Sequence, residues 1–524
     1  MLWLALHLNA LPLEALLASL PADLRGDGAA GTARCVVEQR RVLYADARAC
    51  AAGVRVGMSA ASAAALLPCL QLLQRDVIRE AHFVERLALV ASPYTPSLVL
   101  EPDGVLLEVA SCLRLFGGLQ GLGRSLRQRV GESGVNGLQM ALAPSARAAA
   151  LLARLAPVGR ARQRTPSSSA GPRARPKAAP ASSWAQKIQQ RLDALPLAPV
   201  LAAWRWPPRT VEFLHGIGCR TLADVRALPR AGLQRREGGA LLQRLAETYG
   251  EAPDPRMWFT PPPRFEMGLE LLERADDAGR LVFAAQRLVQ PLAGWLAQQW
   301  LAATRLALHL RHETSRRRIL PDTVLRIGLA EATRDPAQIN LLLSEKLQRL
   351  ELLAPVYALT LSVEECVSCS GKALALWNDD GCTAGAGLLA LIDRLGARLG
   401  AERVQRLGLQ ADHRPELATR VRPAFEAEAV QPGPRPEAVS SEGSARPTWL
   451  LPQPLRLHEQ AGRPLHGGPL RLRSRAERIE AGWFDGEPVS RDYHLAEGAD
   501  HRWRWIFRER RSDGAQWYLH GLFG

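Results

Sequence analysis

The sequence predicts a multidomain chain of α/β and α+β folds that ends in a small β-rich module. Three observations carry that expectation. Over residues 1–158 short apolar strands alternate with helical stretches, as in a mixed α/β domain. Residues 264–366 run in the order β-α-β-β-α-β, and residues 448–524 gather five of the 13 tryptophans into aromatic strands. At 524 residues the chain is long enough for several separate cores.

Charge and composition narrow the function classes. Lys plus Arg outnumber Asp plus Glu by 67 to 52, a formal net charge of +15 that favours a polyanionic partner such as nucleic acid. No apolar run reaches the roughly 18 residues of a membrane span. The N-terminus, interrupted at Glu14, lacks the basic leader and cleavage site of a secretory signal, so a cytoplasmic protein without a membrane partner is expected. Of the eight cysteines only Cys366-Val-Ser-Cys369, with Cys382 nearby, has a metal-like spacing. A structural zinc site needs four ligands, so these read as reduced thiols, and neither a metal nor another cofactor is expected.

Taken in order, the chain opens on "MLWLALHLNALPLEALLASL", an apolar strand that ends in His7 and turns at Pro12 into a helix. Why a buried strand should end in an imidazole is not explained by packing alone. The stretch "GRARQRTPSSSAGPRARPKAAPASS" then breaks the pattern, and no acidic residue occurs between Glu132 and Asp193, as a flexible basic linker requires. Residues 184–260 read as short helices around "LHGIGCRTLADVRALP". There the Gly216-Ile217-Gly218 turn, with Thr221 as N-cap and Asp224 three residues on, has the pattern of a helix-hairpin-helix. Its glycines would let backbone approach a phosphate, and the next helix would offer unpaired N–H groups. A plain helix-turn-helix core contact is the alternative.

In "ATRLALHLRHE" Leu306, Leu308 and Leu310 share one strand face and leave Arg305, His309 and Arg311 on the other. A sheet with such a basic face open can lie along a nucleic-acid backbone, or be merely solvated. From Val367 to residue 447 little order is expected beyond a helix near 385–400, and "EAVQPGPRPEAVSSEGSARP" reads as a second linker. The closing "WRWIFRERRSDGAQWYLHGLFG" reads as aromatic strands around a Ser-Asp-Gly turn, a docking unit rather than an enzyme.

Two further stretches tie these pieces to a family. "GVRVGMSAASAAALLPCLQLLQRD" at 53–76 is similar to the fingers segment, and "PYTPSLVLEPDGVLLEVASCLRLFGG" at 93–118 to the palm hairpin, of the Y-family DNA polymerases. The chain resembles that translesion family over nearly its whole length, and most closely its bacterial ImuB-like branch. The resemblance implies a right hand: palm at 1–10 and 76–158, fingers at 11–75, a linker at 159–183 and a helix-hairpin-helix thumb at 184–260. It continues with a little finger at 264–366, a largely flexible segment at 367–447 and a partner-docking module at 448–524.

The chemistry of the family is missing from the matched positions. Family polymerases hold paired metal ions on carboxylates. Here the first aspartate falls on His7 and its Asp-x-Asp partner on Asn9; in the palm hairpin Asp103 remains, but the adjoining glutamate is Gly104. Glu108 matches a later aspartate that is not a metal ligand. The triphosphate-binding tyrosine and arginine fall on Ala47 and Cys50, with Tyr44 and Arg48 close by, and the phosphate lysine falls on Ala150. The expectation is therefore a non-catalytic, polymerase-like factor in damage-induced mutagenesis. In "KALALWNDD", residues 373–377 are similar to a sliding-clamp-binding pentapeptide with anchors Leu374, Leu376 and Trp377, although the usual leading Gln is Ala373. The implied partners are primer-template DNA, the sliding clamp, an ImuA-like protein and an error-prone C-family polymerase subunit, met at the nucleoid. Two rivals stand beside this reading: a divergent active lesion-bypass polymerase using Asp103 and Glu108, and a structural DNA-binding protein without clamp contact.

Overall fold

Strand β1 (Trp3–Leu8) is buried along its whole length because both its edges and both its faces are covered. It lies inside a four-stranded sheet ordered β5 (Leu98–Glu101), β6 (Gly104–Glu108), β1, β7 (Leu138–Ala143), antiparallel to β6 and β7. Alternation sends Leu4, Leu6 and Leu8 to one face, against Phe83 and Leu87 of the helix Val77–Ala91. Trp3 and Ala5 point to the other, where Ala149 and Leu152 of the helix Ala146–Arg154 join the core. This computed structural model describes residues 1–20, 32–135, 137–156, 181–237, 239–313, 320–369, 380–424, 446–510 and 516–524. It divides into two units, Met1–Ala397 and Arg398–Gly524.

Three short strands, β2 (Arg34–Glu38), β3 (Arg41–Ala45) and β4 (Gln71–Gln74), form a second sheet ordered β3-β2-β4, with a small core of Cys35, Val42, Ala49, Val54 and Ala63. Six helices between Ala181 and Tyr249 pack through Leu192, Val200, Leu201, Leu214, Leu222 and Leu245. The first of them, Ala181–Asp193, starts inside the segment expected to be a flexible linker, so the linker expectation at 159–183 is corrected at its end; residues 157–180 lie outside the described residues.

Strands β8 (Glu266–Ala275), β9 (Leu301–His312), β10 (Thr323–Thr333) and β11 (Val356–Ser368) make an antiparallel sheet ordered β10-β9-β11-β8. The helices Ala278–Gln298 and Pro336–Leu347 cover one face, so the chain order here is β-α-β-β-α-β. Helix Ala278–Gln298 also lies on helix Val77–Ala91, backbone close to backbone: a Cβ on Gly294 would meet the Leu89 carbonyl oxygen at 1.8 Å. That approach merges the cores of the first and third sheets into one.

The unit Arg398–Gly524 is β-rich. A hairpin pairs Gln405–Leu409 with Thr419–Pro423, and a seven-stranded antiparallel sheet is built from strands between Trp449 and Leu522. Tyr493, Trp505, Phe507 and His520 stack at its centre, with the Tyr493 hydroxyl 2.8 Å from His520 Nδ1. Two expectations are corrected here. The helix expected near 385–400 spans Asp380–Leu399, but 401–423 form a short 3₁₀ turn and hairpin where the sequence reads as largely flexible. The final module starts near Arg398 rather than at 448, because Arg414, almost fully buried, bonds Asp412, Asp485 and the Glu487 carbonyl. An arginine with that many acceptors ties the hairpin to the sheet. The Ser-Asp-Gly turn lies outside the described residues.

Candidate functional site

The corner that should hold the metal ions is built from the end of β1, the β5–β6 turn and the end of helix Ala146–Arg154. Register places His7 opposite Gly104. The lone carboxylate, Asp103, is not free: Arg154 Nη2 donates to both its oxygens at 2.5 Å, and His7 Nδ1 lies 3.5 Å from Oδ1. Arg154 Nη1 also donates to the Ala203 carbonyl at 3.1 Å, so one guanidinium joins the first sheet to the helical region. Desolvation pushes the Asp103 carboxyl up, but the bonds and charges of His7 and Arg154 outweigh it and hold the group down at about 2.

At Gly104 there is no room for a second carboxylate beside Asp103. A Cβ at this position would stand 2.0 Å from the Leu6 carbonyl oxygen, so no glutamate side chain fits this backbone. The cavity bounded by His7, Asp103, Gly104, Ala150 and Arg154 is about 10 Å³, room for at most one water. Among the described residues no three His, Cys, Asp or Glu side chains gather as metal ligands. These residues do not fit a carboxylate-held metal pair. Glu108 turns away, its Oε1 accepting from the Leu2 and Ala110 amides. Sequence reading missed Arg154, although a signal was present: it lies one helical turn beyond Ala150, where the phosphate lysine is lost, and therefore on the same face.

In the second sheet Tyr44 packs on the cluster of Leu13, Leu16 and Leu17 rather than standing free, Arg48 is half-buried, and Ala47 and Cys50 are exposed. Cys366 and Cys369 are free thiols at the end of β11.

The helix-hairpin-helix has the expected outline and an unexpected electronic state. Helix Pro208–Gly216 leads through Gly218, at φ +94°, into helix Leu222–Ala227, and Thr221 with Asp224 closes a capping box. Gly216 and Gly218 are exposed. Most of the N–H groups expected to be unpaired have acceptors: the Ile217, Gly218, Cys219 and Leu222 amides donate to the Phe213, His215, Leu214 and Leu195 carbonyls. Those of Arg220 and Thr221 both donate to Asp224 Oδ2 at 2.8 Å. The correction follows from the tight turn, whose carbonyls take most of these donors, and from Asp224, which takes two more.

On the third sheet Leu306, Leu308 and Leu310 are fully buried, and Arg305, His309 and Arg311 share the opposite face, with His309 half-buried between Thr360 and Val324. The face is not simply basic, as its strand implies. Arg305 pairs with Glu365 at 2.6 Å, the neighbouring Arg326 with Glu364 at 2.9 Å, and Arg311 approaches Asp322 at 3.9 Å. Period-2 reading finds the arginines but not the carboxylates that β10 and β11 bring beside them. The connection from β9 to β10 carries Arg316, Arg317 and Arg318, a basic run that the strand-by-strand reading passed over; it lies outside the described residues, as do Leu374, Leu376 and Trp377.

Comparison with known proteins relates part of the chain to a family model and most of it to a named relative. Residues 28–154, which include Asp103, Gly104 and Arg154, match the impB/mucB/samB family. Protein ImuB of Caulobacter vibrioides is 27% identical over 505 residues, covering 90% of this chain and 100% of its own. The chain is thus similar to ImuB over most of its length and carries a region that matches the impB/mucB/samB family. Among solved structures it is similar to a Y-family DNA polymerase chimera of Dbh and Dpo4 (15% identity, 70% of this chain and 99% of that one, TM-score 0.37). It is also similar to DinB from Sulfolobus solfataricus (15%, 71% and 100%, TM-score 0.36). No helix among the described residues is long and apolar enough to cross a membrane.

Proposed function

We propose that this chain is a non-catalytic, polymerase-like accessory factor in DNA damage-induced mutagenesis. It binds primer-template DNA, holds the sliding clamp and brings an error-prone C-family polymerase subunit, with an ImuA-like protein, to the lesion. The observation that carries the reading is the Asp103–Arg154 pair beside Gly104: the carboxylate a metal needs is held by an arginine, and the position beside it has no room for another. Phosphoryl transfer by two metal ions depends on both.

In this reading the sheet of β8–β11 meets the backbone through Arg305, His309 and Arg311, and the turn at Gly216 and Gly218 approaches it through shape and side chains rather than amides. Leu374, Leu376 and Trp377 seat in the clamp as an extended peptide, and the β-rich unit, which leaves Trp449, Trp483 and Phe484 exposed, docks the protein partners. Purified full-length chain should extend no primer with Mg²⁺ or Mn²⁺; templated extension that disappears in Asp103→Asn overturns the reading. Leu376→Ala with Trp377→Ala should abolish clamp capture, since each hot-spot anchor is worth about 2 kcal/mol or more, roughly thirtyfold. Capture that survives in the double variant removes the clamp from the proposal.

A further inference from the structure

Outside the Asp103 corner, the unit Met1–Ala397 contains a cavity of about 360 Å³ between helix Val77–Ala91 and the β8 edge of the third sheet. Much of its wall is apolar, from Phe83, Leu89, Phe265, Leu269 and Leu359. Arg86 also lines it, and its residue is only 7% exposed. The Arg86 guanidinium has neither a hydrogen-bond acceptor nor a carboxylate among the described residues. Its neighbours are the Phe83 ring, 4.7 Å from the guanidinium carbon, and the like charge of Arg287. Burial, helped by Arg287, pushes this guanidinium down to about 10, so it stays charged near neutral pH.

The other arginines of the wall are already paired, Arg79 with Asp76 and Glu270, and Arg311 with Asp322. A cation with so little exposure and no counter-charge is only partly hydrated, through the cavity it lines, and that costs free energy. A fold that keeps one beside an open cavity has left the anion to come from outside.

Two features select the anion. Glu85, Glu266 and Glu270 also line the cavity, which disfavours a doubly charged phosphate and leaves a single negative charge on an apolar body. The long wall is Glu266–Glu270 of β8, which pairs with β11 alone among the described strands and so presents a backbone edge able to take an extended chain. We propose that this cavity binds the carboxylate end of a peptide whose last side chain is apolar, with Arg86 holding the carboxylate and β8 aligning the backbone.

Calorimetric titration of the full chain with acetylated dipeptide acids ending in Leu, Phe or Val tests this. At least one acid should bind, its C-terminal amide should bind tenfold or more weaker, and inorganic phosphate should not compete. Arg86→Gln should weaken the acid by tenfold or more while melting no lower than the parent without ligand, because it removes an unpaired buried charge. Equal binding of acid and amide, full affinity in Arg86→Gln, no acid binding at all, or displacement of the acid by phosphate each overturns the proposal. Should Arg86→Gln fail to fold, the acid and amide on the parent chain still decide it.

Discussion

Two arginine–carboxylate pairs in the same unit have nearly equal lengths and opposite meanings. Arg154 meets Asp103 at 2.5 Å with side chains 27% and 31% exposed, whereas Arg305 meets Glu365 at 2.6 Å with side chains 50% and 54% exposed. The first pair closes a corner with no room for a ligand. The second lies in water, where its gain nearly cancels the entropy of holding it, and a phosphate can take the place of the carboxylate at little cost. Distance alone does not tell a structural ion pair from a surface poised to bind; burial does.

Removing the arginine from each pair should separate them most sharply. Arg154→Ala strands a partly buried carboxylate and breaks the link to Ala203, so it should cost about 2–3 kcal/mol of stability. Arg305→Ala should cost less than about 0.5 kcal/mol. Chemical denaturation of both variants checks the ratio, and equal losses would erase the comparison. The acid limb should show the same contrast. The Asp103 carboxyl falls from 3.8 to about 2 on folding, so its contribution is fully present above roughly pH 4 and is lost as pH falls toward 2. That contribution is about 2 kcal/mol. In Asp103→Asn the stability curve between pH 4 and pH 2 should be flatter than in the parent; an unchanged curve shows that other carboxylates govern acid unfolding.

What the sequence revealed, and what it hid, divides along the same line. Local periodicity made β8–β11 and their helices legible, and a short motif exposed the loss at His7 and Gly104. Arg154 was hidden because its partner is 51 residues away and only folding brings them together. The Leu222 amide was hidden for a related reason, since Leu195 accepts from it in space, whereas the Asp224 acceptor was legible in the capping pattern. Composition misled at 398–424, where polar, glycine-containing sequence reads as largely flexible while Arg414 ties it to the sheet at Asp485 and Glu487. Arg86 sits in a helix rich in charge, and its sequence context gives no hint that it is buried without a counter-ion.

The exposed side of the comparison is sharpened by DNA. Arg305→Ala with Arg311→Ala should weaken primer-template binding without regard to sequence and make the logarithmic salt dependence shallower by up to about two, one for each phosphate left without its arginine. Fluorescence anisotropy across a salt series measures both, and an unchanged slope returns this face to plain solvent.

The smallest effect comes from the carboxylate. If Glu365 merely holds Arg305 until a phosphate replaces it, Glu365→Gln keeps the side-chain shape, removes the competing charge and leaves stability within about 0.5 kcal/mol of the parent. Affinity for primer-template DNA should then rise, by roughly twofold to threefold at low salt, because Arg305 no longer leaves a partner on binding. Net charge alone would also raise affinity, so the control is Glu402→Gln, the same charge change on an exposed residue of the other unit. A gain in Glu365→Gln that exceeds the gain in Glu402→Gln assigns the effect to the pair on the sheet. Equal gains reduce it to bulk electrostatics, and a loss in Glu365→Gln means that the carboxylate orients Arg305 for binding instead of competing with it.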